Sequence, residues 1–96
     1  MGQNNILKLI QSNQTTIKKY GVSRVGLFGS YSTGLETPKS DIDILIEFES
    51  GKKNFDNYMG LKFYLEDLFQ KKVDLVIKES IRPKLKDKIL KDVLYA

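Results

Sequence analysis

Apolar positions along the chain follow two spacings, one helical and one alternating. From residue 4 to 20, Ile6, Leu9, Ile10, Ile17 and Tyr20 recur near the helical period, and Gly21 follows them. That spacing predicts an amphipathic helix stopped by glycine. Arg24–Phe28 is a short apolar run around the β-branched Val25 and predicts a strand that runs into Gly29-Ser30. Tyr31–Ser40 is dense in Ser, Thr, Gly and Pro and predicts a loop, with or without a helical turn. Asp41–Phe48, reading DIDILIEF, carries the strongest strand signal, with the branched Ile42, Ile44 and Ile46 recurring at period two. A polar turn region, Glu49–Asp56, follows. Tyr58–Phe69 predicts a helix with Leu61, Leu65 and Leu68 on one face, and Val73–Ile77 a third strand. Ser80 is placed to cap a last helix that tolerates Pro83 in its first turn. Ile81, Leu85, Ile89 and Val93 predict its buried face, widened by Leu90 and Leu94.

The element order is therefore α-β-β-α-β-α. It predicts one small α/β domain over residues 1–96, with helices covering one face of a sheet. The strands at Asp41 and Val73 are joined through a helix, which suits parallel neighbours. The loop between the strands at Arg24 and Asp41 leaves their relative direction open.

Alternation also places chemistry. Asp41 and Asp43 are two residues apart, so their carboxylates share a face, with Cα atoms about 6.6 Å apart. Ile42, Ile44 and Ile46 point the other way, into the expected core. Asp74 sits likewise on the polar side of VDLVI, with Val76. If the two strands pair with apolar faces aligned, three carboxylates meet on one open face. One Asp on a strand is ordinarily just a solvent-facing residue, and Asp74 alone would carry no more than that. A pair is harder to excuse, because strands disfavour Asp. Crowded like charges call for a cation, and Mg²⁺ prefers a few carboxylates with phosphate and water.

Gly29-Ser30 leaves the first strand. A glycine there lets backbone N–H groups approach an anion, and Ser30 adds a hydroxyl. The dipeptide alone reads as a plain strand-to-loop turn. Its position changes that: Ser30 and Asp41 are the two ends of one loop, which brings a phosphate nest beside the acids. Ser40, just before Asp41, is either a site residue or a loop residue.

Composition narrows the chemistry. The chain has no Cys and no His. Disulfides, thiol and imidazole catalysis and the usual zinc sites are excluded, leaving carboxylates, hydroxyls, amines or a hard metal held by oxygen. Sixteen basic residues against twelve acidic give a net charge of +4, which favours anionic partners. Only Arg24 and Arg82 are arginines, and no basic stripe interleaves with aromatics, so a nucleic-acid-binding role ranks low. No apolar run is long enough to cross a membrane, and the N-terminus lacks a signal-peptide pattern. The expectation is a soluble, cytoplasmic protein.

The run FGSYSTGLETPKSDIDILIEF, with the later KKVDLVI, resembles the signature of the nucleotidyltransferase superfamily that includes DNA polymerase β. A Gly-Ser is followed after about ten residues by Asp-x-Asp in a strand, and a third Asp comes in a later strand. The short length and GSYSTG…SDIDIL look most like minimal nucleotidyltransferases (MNT), the antitoxins of HEPN/MNT toxin–antitoxin pairs. The motifs cover roughly residues 22–77.

The resemblance implies a polymerase β palm-like fold, a small mixed sheet of three to four strands. It implies that Asp41 and Asp43 bind two Mg²⁺ ions, that Asp74 completes one site and helps activate the attacking hydroxyl, and that Gly29 and Ser30, with Ser40 beside them, bind nucleotide. The implied reaction is transfer of AMP from ATP to a hydroxyl, a tyrosine, of a HEPN-domain toxin. The alternative is an antitoxin that neutralises its toxin by binding alone. One departure favours that alternative: where many MNT proteins carry Arg in Gly-Ser-x-Ala-Arg-Gly, this chain has Thr33. Lys39 is the nearby candidate for the missing charge. The apolar end of the last helix, Leu90, Val93, Leu94 and Tyr95, is a docking surface or part of the core.

Overall fold

The computed structural model describes residues 1–96. Two N-terminal helices, α1 (Gln3–Ser12) and α2 (Gln14–Lys18), precede strand β1 (Val22–Phe28) and a one-turn helix α3 (Ser30–Thr33). Strand β2 (Ile42–Phe48), helix α4 (Phe55–Phe69) and strand β3 (Val73–Ile77) follow. After a 3₁₀ turn at Lys78–Ser80, helix α5 (Pro83–Asp92) leads to the two-residue strand β4 (Leu94–Tyr95). The sheet order is β3-β2-β1-β4. β2 and β3 are parallel, joined through α4, and β1 is antiparallel to both β2 and β4. The expected small mixed sheet is therefore present, with a fourth strand.

The core lies on one face of the sheet. Ile42, Ile44 and Ile46 are wholly buried there with Val25, Leu27, Val73 and Leu75. Ile6 and Ile10 of α1, Ile17 of α2 and Leu61, Leu65 and Phe69 of α4 close over them. Full burial of each such aliphatic side chain stabilises the fold by ~1.5–3 kcal/mol. Side chains of α4 also finish the outer edge of β3. Glu66 Oε2 accepts from the Val73 N–H at 3.0 Å, and the Tyr58 hydroxyl donates to the Leu75 carbonyl at 2.6 Å. An edge strand thereby loses open positions for pairing.

The expected single helix over residues 4–20 is in fact two. At Asn13 the side-chain amide donates to the Leu9 carbonyl at 2.8 Å and its oxygen accepts from the Tyr64 hydroxyl at 2.9 Å. An Asn that bonds the backbone in this way competes with the helix ladder. The helical period survives the break, so Ile6, Ile10 and Ile17 stay buried. Helix α4 starts earlier than Tyr58, because Asn54 caps it by accepting from the Asn57 N–H at 2.8 Å.

The last helix departs most from expectation. Ser80 lies in the 3₁₀ turn, Arg82 takes the cap position and Pro83 is the first helical residue. No residue of α5 is buried, and Leu85 is 51% exposed. The core face is already closed by α1, α2 and α4, so α5 lies outside it with only Ile89 and Leu90 of its apolar stripe half-buried. Its exit does pack: Val93 and Tyr95 stand over Gly26, where an added Cβ would lie 2.5 Å from Val93 Cγ2. The Arg24 guanidinium lies 3.7 Å from the centre of the Tyr95 ring and 3.6 Å from Glu47, which also meets Lys78 at 3.7 Å.

Candidate active site

The site lies on the sheet face opposite the isoleucines. The register pairs Phe28 of β1 with Asp43 of β2, and Asp43 with Asp74 of β3. The two carboxylates are therefore direct neighbours across parallel strands, as the aligned apolar faces require. Asp41 lies just before β2 rather than in it, and is exposed, as is Asp74. Asp43 is half-buried. Along its own strand the next residue on this face is Leu45, only 1% exposed. Leu45 pairs with Gly26, over which Val93 and Tyr95 lie. The sequence suggested an open face here; the C-terminal segment closes it around Leu45 and leaves the acid end uncovered.

This placement raises the Asp43 pKa from 3.8 to about 6. Burial is the largest cause, followed by the charge of Asp74 and then of Asp41. The Tyr58 hydroxyl, near the same strand edge, is also pushed up, by burial and by Asp74.

The glycine loop touches the acids directly. Gly29 has φ 71° and ψ −150°, a conformation that is essentially glycine's alone. A Cβ built there would fall on Asp43 Oδ2, so the bare backbone of Gly29 packs against the carboxyl. Beyond it the chain winds into α3 on the Gly29 carbonyl, which accepts from the N–H groups of Ser32 and Thr33 at 3.1 and 3.2 Å. The Ser32 and Thr33 hydroxyls also turn back, to Gly29 O at 2.9 and 3.3 Å. They are spent on the turn, while the Ser30 hydroxyl stays available at its start. Gly34, at φ 78°, ends the turn. Two residues that the sequence reading passed over hold α3 in place. Tyr31 is buried to 1% exposure, and the Gln3 amide donates to the carbonyls of Tyr31 and Ser32 at 3.2 and 2.8 Å. The aromatic among small polar residues was the only sequence signal for this anchor.

Ser40 is committed to a local turn. Its hydroxyl accepts from the Thr37 N–H at 2.9 Å and its own N–H donates to the Thr37 carbonyl at 3.0 Å. Thr33 is exposed and brings no charge to the turn. The lysine engaged with this loop through its amine is Lys71, not Lys39: its Nζ donates to Pro38 O at 2.9 Å and Ser40 O at 3.4 Å.

The donor set suits a hard cation. It is all oxygen, and Asp43 is crowded by two acids with no cationic side chain paired to it. No three acid side chains stand close enough to enclose one ion. An open, partial shell of this kind matches Mg²⁺, which keeps several waters and completes its shell with substrate phosphate.

Residues 7–96 match the protein family described as Nucleotidyltransferase domain. A Methanocaldococcus jannaschii protein named as a candidate protein adenylyltransferase is 41% identical over 93 residues, covering 94% of this chain and 93% of that one. The protein adenylyltransferase MntA of Thermococcus cleftensis is 37% identical over 94 residues, covering 93% and 94%. Among solved structures, one described as a minimal nucleotidyltransferase superposes with a TM-score of 0.84 at 28% identity, covering 98% of this chain and 95% of that one. A toxin–antitoxin structure with AMP-PNP gives 0.69 at 26% identity, covering 99% and 72%. A Shewanella oneidensis complex of a tri-AMPylated HEPN toxin with its MNT antitoxin gives 0.59 at 25% identity, covering 97% and 66%. No helix of the chain is long and apolar enough to cross a membrane. With the Gly-Ser turn and paired aspartates arranged as described, the chain belongs to the nucleotidyltransferase family, in its minimal form.

Proposed function

We propose that this protein is a Mg²⁺-dependent protein adenylyltransferase that transfers AMP from ATP to a tyrosine hydroxyl of a HEPN toxin in the cytoplasm, and so acts as its antitoxin. The observation that carries this reading is the contact of Gly29 with Asp43, itself paired with Asp74. The glycine turn and an acid pair with no cation of their own stand in direct contact.

Asp41, Asp43 and Asp74 would supply the carboxylates for the metal, two ions during turnover, each ion completed by substrate phosphate and water rather than by all three acids together. A metal bound there would supply neutralisation of phosphate charge and would favour the ionised acceptor hydroxyl. Gly29 and Ser30 hold the triphosphate by backbone N–H groups and a hydroxyl, and so align the α-phosphorus. Asp74 orients the acceptor hydroxyl. The acceptor oxygen bonds to the α-phosphorus, the bond from that phosphorus to the bridging oxygen of the β-phosphate breaks, and pyrophosphate leaves. The hydroxyl proton passes to solvent or a carboxylate. Asp43 is mostly ionised above pH 6 even without metal, so it is ready to bind a cation near neutrality.

Incubation with labelled ATP, Mg²⁺ and a folded HEPN partner is the test. The expected result is covalent label on a partner tyrosine, lost when Mg²⁺ is withheld. No label with all three acids intact contradicts the reading. A stable complex that suppresses the toxin without ATP would then support neutralisation by binding, the reading that Thr33 favours.

A further inference from the structure

The loop between the glycine turn and the acid strand has little to hold it. From Glu36 to Asp41 the chain forms no helix or strand. Its own bonds, between Thr37 and Ser40 and from the Lys39 N–H to Thr37, are internal to the loop. Its far side is tied by the Ile42 N–H, which donates to the Lys72 carbonyl at 3.0 Å as β2 begins. The remaining tether is Lys71. It lies in the turn between α4 and β3, more than thirty residues away in sequence, and its ammonium binds Pro38 O at 2.9 Å and Ser40 O at 3.4 Å. Ser40 is bonded covalently to Asp41. Charge-assisted bonds of this type are stronger than neutral ones.

We propose that Lys71 is a positioning residue for Asp41: by binding the Pro38 and Ser40 carbonyls it sets the loop so that the Asp41 carboxylate meets a divalent cation together with Asp43. Unlike Asp43, Asp41 is not fixed by a strand register or by packing. Its direction follows from the backbone before it, and one amine holds that backbone to the body of the protein. The proposal rests on the metal site of the proposed function.

Charge gives the test a sign. If Lys71 acted only through its positive charge, removing it would tighten cation binding by nearby acids. If it acts by position, removal weakens binding, and loss of such an outer-shell contact typically costs 10–100-fold in metal affinity. Calorimetry with Mn²⁺ and AMP-PNP would compare the wild type, Lys71→Met, Lys71→Arg, Asp41→Asn and the double variant. Hydrogen exchange at residues 37–41 would be followed in the metal-free proteins. The expected results are at least a tenfold loss for Lys71→Met, substantial recovery in Lys71→Arg, and no further loss when Lys71→Met is added to Asp41→Asn. Exchange over 37–41 should accelerate in Lys71→Met. Tighter or unchanged binding in Lys71→Met, or a loss that adds fully to that of Asp41→Asn, overturns the proposal. If Lys71→Met does not fold, the Lys71→Gln variant carries the same comparison. A wild type that binds no cation contradicts the metal site itself. The exchange of the loop then still decides whether Lys71 holds it, and unchanged exchange overturns that part.

Discussion

The two faces of β2 are built from alternate residues of one seven-residue strand, yet they obey different rules. On one face Ile42, Ile44 and Ile46 are fully buried under three helices. On the other, Asp43 sits half-buried between Phe28 and Asp74, its pKa raised to about 6. The first face minimises free energy by excluding water. The second keeps a carboxylate where burial and two like charges oppose its ionisation. A fold gains nothing from such a group, and the neighbouring glycine backbone, which admits no Cβ, makes the arrangement more specific still. The difference separates what holds the protein together from what the protein works with.

Substitutions should therefore sort by face. The largest effect expected is on activity: Asp43→Asn should lower AMP transfer on the order of 10³-fold or more, about 4 kcal/mol of barrier, in a transfer assay with labelled ATP. The same variant should not weaken the metal-free fold. Ile44→Ala, the next residue in the strand, should do the reverse. It should destabilise the protein by about 3–4 kcal/mol in denaturant unfolding. Catalysis per folded molecule should be much less affected. Gly29→Ala comes next, at about 1–3 kcal/mol of stability from its backbone conformation alone. It should also lose transfer activity, because the new methyl group displaces the Asp43 carboxylate. The smallest effect is the pH dependence of the metal-free protein. Asp43 has a higher pKa folded than unfolded, so the folded state holds more protons between pH 3.8 and about 6. Its contribution favours the fold at low pH and is lost as pH rises through 6. Discounted for exposure, the effect is about 1 kcal/mol, seen as a difference between wild type and Asp43→Asn in melts across that range.

Much of this contrast was legible in DIDILIEF, because a strand's alternation assigns each residue to a face without further information. The pairing of Asp43 with Asp74 was legible only as a condition, parallel neighbours with aligned apolar faces, and the structure meets that condition. Three things did not follow. Asn13 breaks a helix through hydrogen bonds to Leu9 and to a tyrosine fifty-one residues away, and periodicity does not register such contacts. The stripe on α5 has helical spacing, but spacing shows only that a face could be buried, not that a surface remains to bury it. Leu45, in turn, occupies a polar-side position and is buried because Val93 and Tyr95 return over Gly26. In the site, the Gly29 contact and the Lys71 tether depend on tertiary placement. Their residue types gave only a flexible point and one lysine among fourteen.

The acid face, on this reading, exists to receive a cation with a nucleotide. The most direct measurement is the melting temperature of wild type and Asp43→Asn with and without Mg²⁺ and AMP-PNP together. A ligand that binds only the folded state raises its stability with the logarithm of one plus the ratio of free ligand concentration to its dissociation constant. The expected result is a clear rise for wild type, dependent on Mg²⁺, and little or none for Asp43→Asn. An equal rise in both proteins, or none in wild type at saturating ligand, would contradict it.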